Sequence, residues 1–173
     1  MSRKGWAALV AAVGAVVLVA AMAAFQPWKL WVDDRANDAD VAVAPAVPGQ
    51  PQDDGKQAPQ GPEKVYEGGK WRSYSHGETT GTVKLYKQPD GSHLLRLEDL
   101  RTSNGPDVKV VLAEQSFDQV GQLPPGYLTL ATLKGNTGSS NYAIPAGTDI
   151  TKYKSAVIWC KRFDAVFAAV SIT

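Results

Sequence analysis

Three regimes of hydrophobic patterning succeed one another along the chain. From Trp6 to Phe25 the sequence WAALVAAVGAVVLVAAMAAF carries no charged residue and no polar face. A water-soluble helix shows such a face, whereas roughly 20 apolar residues in a row match the hydrocarbon thickness of a bilayer. Between about Ala36 and Pro62 that signal gives way to Ala, Gln, Gly and Asp, with prolines at 45, 48, 51, 59 and 62. Such a segment cannot bury enough apolar surface to offset the entropy of ordering, and its prolines hold it extended. From Glu63 onward short apolar runs alternate with turn residues, the pattern of β-strands.

Within this last regime GTVKLYKQPDG places Val83 and Leu85 on one parity and ends at Asp90-Gly91, a hairpin signal. SHLLRLEDL sets Leu95 and Leu97 on one side and Arg96 and Glu98 on the other. A turn at Asn104-Gly105-Pro106 opens the run Val108, Val110, Leu112. GYLTLATL and NYAIP predict further strands, and SAVIWCKRF and AVFAAVSIT close the chain. In the last run Val166, Val170 and Ile172 share one parity and Phe163, Phe167 and Ala169 the other, so this strand is expected to be covered on both faces. No stretch shows a helical period. About eight strands in roughly 110 residues predict an all-β fold, an antiparallel β-sandwich or barrel-like domain.

The expected organisation is therefore a cytoplasmic tip and transmembrane anchor over residues 1–31, an extracytoplasmic linker over 32–62, and a β domain over 63–173. Arg3 and Lys4 before the apolar run favour a cytoplasmic N-terminus, partly offset by Lys29 after it. Trp6, Trp28 and Trp31 stand where interfacial aromatics are expected. A cleavable signal peptide is the rival reading, with Ala21-Met22-Ala23 as its cleavage region, but the apolar core of such a peptide is shorter, about 7–15 residues. Both readings export the β domain. The anchored one makes the membrane, through residues 6–25, the first partner of the chain.

Composition narrows the chemistry. The net charge is +1, and Lys and Arg are scattered, which gives no nucleic-acid footprint. There are two histidines and one cysteine, all far apart in sequence, so no metal-ligand spacing is present. No phosphate-binding glycine loop stands before a helix, and no Gly-x-Ser-x-Gly elbow occurs. Ser75, His76 and Asp99 can be assembled into a hydrolytic triad, but nothing singles that set out. Asp99, Asn104, Asp107 and Asn136 supply oxygen ligands without calcium-loop spacing, and turn capping explains Asn104 and Asp107 more simply. His93, at a strand start, reads as an exposed histidine.

The lone Cys160, in VIWCKRF, is the remaining candidate. On a strand it shares a face with Ile158 and Arg162, while Trp159 points the other way with Val157 and Lys161. Buried among apolar groups its thiol is inert; near the strand end, Arg162 can stand beside it and favour the thiolate.

Four blocks, WRSYSHGETTGTVKLYKQPDGSHLLRLEDL, NGPDVKVVLAE, LKGNTGSSNYAIP and YKSAVIWCKRFDAVFA, stand in the order and spacing of the DM-thirteen domain. Over about Tyr66 to Ile172 the chain resembles this "electron transfer" family, which occurs in anchored bacterial proteins and beside DOMON domains in Skeletor-like proteins. The resemblance implies a β-sandwich with a redox role. It maps the family's cysteine onto Cys160, its upstream histidine onto His76, and its Gly-Pro-Asp turn onto Gly105, Pro106 and Asp107. The cysteine would act as a bare thiol or as a ligand to a prosthetic group such as haem, with Cys160 and His76 as the ligand pair; the bare thiol is preferred. Ala168 stands where the family commonly has glycine. The expected role is redox or electron transfer without substrate turnover, and it implies a redox partner protein. The competing expectation is a β-sandwich interaction module binding a partner protein or envelope component, in which Cys160 is dispensable.

Overall fold

Strand-forming runs this short bury their apolar faces only by pairing and stacking, and the computed structural model shows how they do so. It describes residues 3–30, 32–42, 61–74, 76–116, 118, 121–123 and 125–173. Among these residues, helix α1 (Arg3–Phe25) and a 3-10 turn (Pro27–Leu30) precede ten strands. These are β1 (Arg35–Asn37), β2 (Glu63–Gly68), β3 (Arg72–Ser73), β4 (Thr80–Lys87), β5 (His93–Arg101), β6 (Val108–Ala113), β7 (Leu128–Thr132), β8 (Thr137–Ile144), β9 (Ser155–Cys160) and β10 (Ala165–Ser171). They form two five-stranded sheets, ordered β1-β8-β5-β4-β2 and β3-β10-β9-β6-β7. All pairs are antiparallel except β1 with β8. The expected β-sandwich is what the chain forms.

The core lies between the sheets. Val83, Leu85, Leu95 and Leu97 of the first sheet face Val110, Leu112, Ile158 and Val170 of the second. Each such side chain, fully buried, contributes roughly 1.5–3 kcal/mol. The β4–β5 hairpin turns at Asp90-Gly91: Gln88 and Ser92 close it through the backbone, the Asp90 carboxylate accepts from the Ser92 amide at 2.9 Å, and Gly91 has φ +82°. The second sheet is apolar on its outer face too, where Val111, Ala113, Val157, Trp159, Val166 and Ala169 form a smaller cluster under Tyr74 and Leu123.

Three features depart from the sequence reading. A bulge between Val166 and Ala168 shifts the register of β10, so Phe167 joins Val170 and Ile172 in the main core while Val166 lies outside with Ala169. Phe163 is not on the strand at all; it ends a 3-10 turn (Lys161–Phe163). Arg96, on the polar parity opposite Leu95 and Leu97, is nevertheless only 3% exposed. Its cover comes from the segment expected to begin the linker. Arg35–Asn37 pairs with Thr137–Ser139, and the following residues bond across the sheet. Arg96 donates to the Ala39 carbonyl (3.1 Å) and pairs with the Asp40 carboxylate. The proline-rich stretch from 43 to 60 lies outside the described residues.

Candidate functional site

Cys160 is the last residue of β9, and its neighbours follow from that position. It pairs with Val108 at the start of β6 and with Ala165 at the start of β10. Strand alternation keeps its side chain with that of Ile158 and opposite that of Trp159, as the sequence indicated; the face of Cys160 proves to be the main core and that of Trp159 the outer cluster. The thiol is fully buried, at 0% exposure, and unpaired. Its cover is the Asn104–Asp107 turn. A Cβ built on Gly105 would lie 3.5 Å from the Cys160 sulfur, 3.3 Å from the Phe167 ring and 3.1 Å from Val108, so a side chain there would crowd all three. Asn104 shapes the turn by accepting the Gly105 amide (2.8 Å), and the Asp107 carbonyl accepts the Lys161 amide (2.9 Å), which ties the turn to the end of β9.

His76 reaches the same end of the sandwich from another direction. It has φ +62°, is exposed, and packs tilted against Phe167, with ring centroids 5.0 Å apart and planes at 59°. Its loop is anchored beside the turn by a buried hydrogen bond between the Thr79 and Thr102 hydroxyls (2.8 Å). A Cβ on the adjacent Gly77 would lie 3.4 Å from the Ser103 hydroxyl. Phe167 is thus the shared neighbour: His76 packs on its ring outside, and Gly105 and Cys160 meet it within.

The other candidates disperse. Arg162 leaves the strand with the 3-10 turn, and its guanidinium donates to the Ala24 carbonyl. Ser75 lies outside the described residues, and Asp99 belongs to the opposite sheet, where its amide donates to Ser139 (3.1 Å). The triad of Ser75, His76 and Asp99 therefore has no geometric support. His93 opens β5 at the hairpin end of the domain, paired with Lys87 and Ile144. Three of the four oxygen donors have separate employment: Asn104 caps its own turn, Asp107 pairs with Lys109 (2.7 Å), and Asn136 donates to Asp33 (2.7 Å) and to the Thr102 carbonyl (3.1 Å). Among the described residues no three His, Cys, Asp or Glu side chains cluster as metal ligands do.

A haem held by Cys160 and His76 does not fit these residues. Such a pair would hold haem only with the thiol open to the group and room for the macrocycle between the two side chains. Here the sulfur is sealed among Val108, Gly105 and Phe167, and His76 packs on the ring of Phe167 instead of facing the thiol across a cavity.

Two parts of this end escaped the sequence reading. Phe167 was assigned to the wrong face because a bulge leaves no mark in parity counting. The acidic run Asp33, Asp34, Asp38 and Asp40 falls in the segment expected to be linker, yet Asp33 accepts from Asn136, the Asp34 amide donates back to Asn136 (2.7 Å), and Asp38 accepts from Lys134 (2.5 Å) and the Asn141 amide (2.8 Å). Lys134 and Asn141 hold the Asp38 carboxyl below its ordinary range, the lysine hydrogen bond being the larger cause. The readable signal was the paired glycines of KGNTG. A Cβ on Gly135 would lie 2.5 Å from the Ala36 nitrogen, and one on Gly138 would overlap the Ala36 carbonyl oxygen.

Helix α1 contains a 22-residue stretch, Lys4–Phe25, whose most apolar 18 residues have a mean hydropathy of 2.6 and are not buried, and it is long and apolar enough to cross a membrane. No curated protein and no solved structure matches the chain. The sequence profile of the family described as Electron transfer DM13 matches residues 70–172, from just before β3 to the end of the domain. The chain belongs to the Electron transfer DM13 family.

Proposed function

We propose that this is a membrane-anchored extracytoplasmic electron-transfer domain whose redox group is Cys160. One observation carries the assignment to that residue: in a domain of an electron-transfer family, an unpaired thiol ends a strand directly beneath a glycine turn. α1 serves as the single anchor, with Arg3 and Lys4 on the cytoplasmic side. The thiol works as a bare group, and its burial makes it gated: reagents and partners reach it when the Asn104–Asp107 turn lifts. Burial shields it meanwhile from the oxidising compartment, where an exposed lone cysteine would be drawn into mixed disulfides. The partner is a redox protein docking at the end that carries His76 and Gly105.

A second reading has its own observation. Total burial of Cys160 between Val108 and Phe167 is also what a small core hydrophobe shows, and the domain would then be a binding module held at the membrane. Treating the folded full-length chain in detergent with a small disulfide separates the two. The redox reading expects a mixed disulfide at Cys160 that a dithiol reverses, with no loss of fold, and no reaction in Cys160→Ser. A native chain that stays unmodified until it is unfolded would leave the binding module.

A further inference from the structure

The route from α1 into the sandwich is short and fixed. Residues 26–34 alone separate the end of the helix from β1, and the 3-10 turn takes up Pro27–Leu30 of them. Asn104 then donates to the Val32 carbonyl (3.1 Å). Beyond it, Asn136, only 3% exposed, bonds both Asp33 and the Asp34 amide. β1 enters beside Thr137, at the end of the sheet where Arg101 pairs with Thr137 and where the 102–107 turn begins. With Gly135 and Gly138 packed against the backbone of Ala36, this is a seated strand. The proline-rich stretch follows the seated strand, so it cannot space the domain from the helix.

The end so placed has the surface chemistry of an interfacial contact. The 3-10 turn after β9 presents Lys161, Arg162 and Phe163, all exposed, with the Phe163 ring 58% exposed. Arg162 donates to the carbonyl of Ala24, one residue before the helix ends, which sets this turn level with the outer end of α1. The nearby carboxylates are engaged: Asp164 accepts the Trp159 indole N–H (3.0 Å) and Asp107 pairs with Lys109 (2.7 Å). Trp28, also exposed, stands on the connecting turn. An aromatic ring beside two basic side chains at the mouth of a membrane helix suits the headgroup layer, where rings sit at the acyl boundary and cations meet anionic lipid.

We infer that the Lys161–Phe163 end of the sandwich rests on the bilayer that α1 crosses, with Phe163 in the interface and Lys161 and Arg162 on anionic headgroups, and that β1 locks it there. The inference rests on the anchored reading. It places the Gly105 turn and Cys160 at the membrane surface, and the Asp90-Gly91 hairpin at the far end. A redox partner would then approach along the membrane.

The test uses the full chain, in a Cys160→Ala background, reconstituted into vesicles of phosphatidylcholine and phosphatidylglycerol. A nitroxide is attached at Phe163→Cys and, separately, at Lys87→Cys beside the far hairpin. The label at 163 should show several-fold lower collision with a water-soluble nickel chelate than the label at 87, together with raised collision with oxygen. A label at Lys161→Cys, where no ring is lost, should give the same ordering should Phe163→Cys impair folding. Equal chelate access at 163, 161 and 87 in vesicles that retain the chain through a carbonate wash would overturn this inference alone. A chain that washes off would overturn the anchor and this inference together.

Discussion

The two sheets of the sandwich differ in what lies on their outer faces. Behind β6, β9 and β10 a second apolar cluster around Trp159 and Val157 makes those strands buried on both sides, and Tyr127 adds its ring to Trp159 at 5.5 Å. Behind β4 and β5 the outer face is ionic: Lys84 pairs with Glu98, and Arg96 bonds Glu98 (3.3 Å), Asn141 (2.9 Å) and the strap of residues 38–40. The difference separates two ways of holding a strand. A sheet buried on both faces has one register and holds Cys160 in place; the sheet with a polar outer face takes β1 at its edge, seated by backbone pairing, by the close approach of Gly135 and Gly138, and by the ion pairs of residues 38–40.

The largest expected effect breaks the comparison at its apolar side. Ile158→Ala should cost about 3–4 kcal/mol, because the cavity lies between two packed sheets that cannot collapse onto it. Lys84→Ala on the ionic face should cost less than about 1 kcal/mol. Chemical denaturation of both variants checks the contrast, and equal losses would contradict it. Next comes the strap. Gly138→Ala should cost about 2–3 kcal/mol, since φ is +92° and the new methyl would overlap the Ala36 carbonyl oxygen. Limited proteolysis should then cut within residues 33–42, which the folded wild type protects.

This pairing explains how far the fold was legible. Two-face burial of the last strand could be read because both parities of AVFAAVSIT are apolar. The hairpin could be read because Asp90-Gly91 is a local signal. The strap could not, because its stabilisation comes from partners some 100 positions away, such as Asn136, Asn141 and Lys134, and from space left by Gly135 and Gly138. Propensity says nothing of such contacts. For the site, the face of Cys160 was legible from alternation, whereas its cover was not: the Gly105 turn and Phe167 meet it only through the register of β6 and the bulge in β10.

Cys160→Ser is expected to cost about 1–2 kcal/mol, as a hydroxyl replaces a thiol among apolar neighbours. The smallest effect is in pH. The Asp38 carboxyl, lowered by Lys134 and Asn141, favours the folded state above the ordinary aspartate value. That contribution is lost as pH falls below about 4 and through the still lower folded value. For a surface pair it amounts to about 1 kcal/mol or less. Asp38→Asn should therefore flatten the acid limb of the stability curve, measured by thermal midpoint against pH, and leave the neutral midpoint slightly lower.

The most direct test of the gated thiol is the native-state alkylation rate of Cys160 in the wild type, Gly105→Ala and Leu95→Ala. A methyl at 105 crowds Val108, Phe167 and the sulfur and lifts the turn locally. Leu95→Ala instead weakens the whole domain from the opposite sheet. Local opening and global unfolding are distinguishable in this way. The account expects labelling of the folded wild type, a several-fold faster rate in Gly105→Ala, and little change in Leu95→Ala. Labelling that simply follows global stability, fastest in whichever variant is least stable, would contradict it.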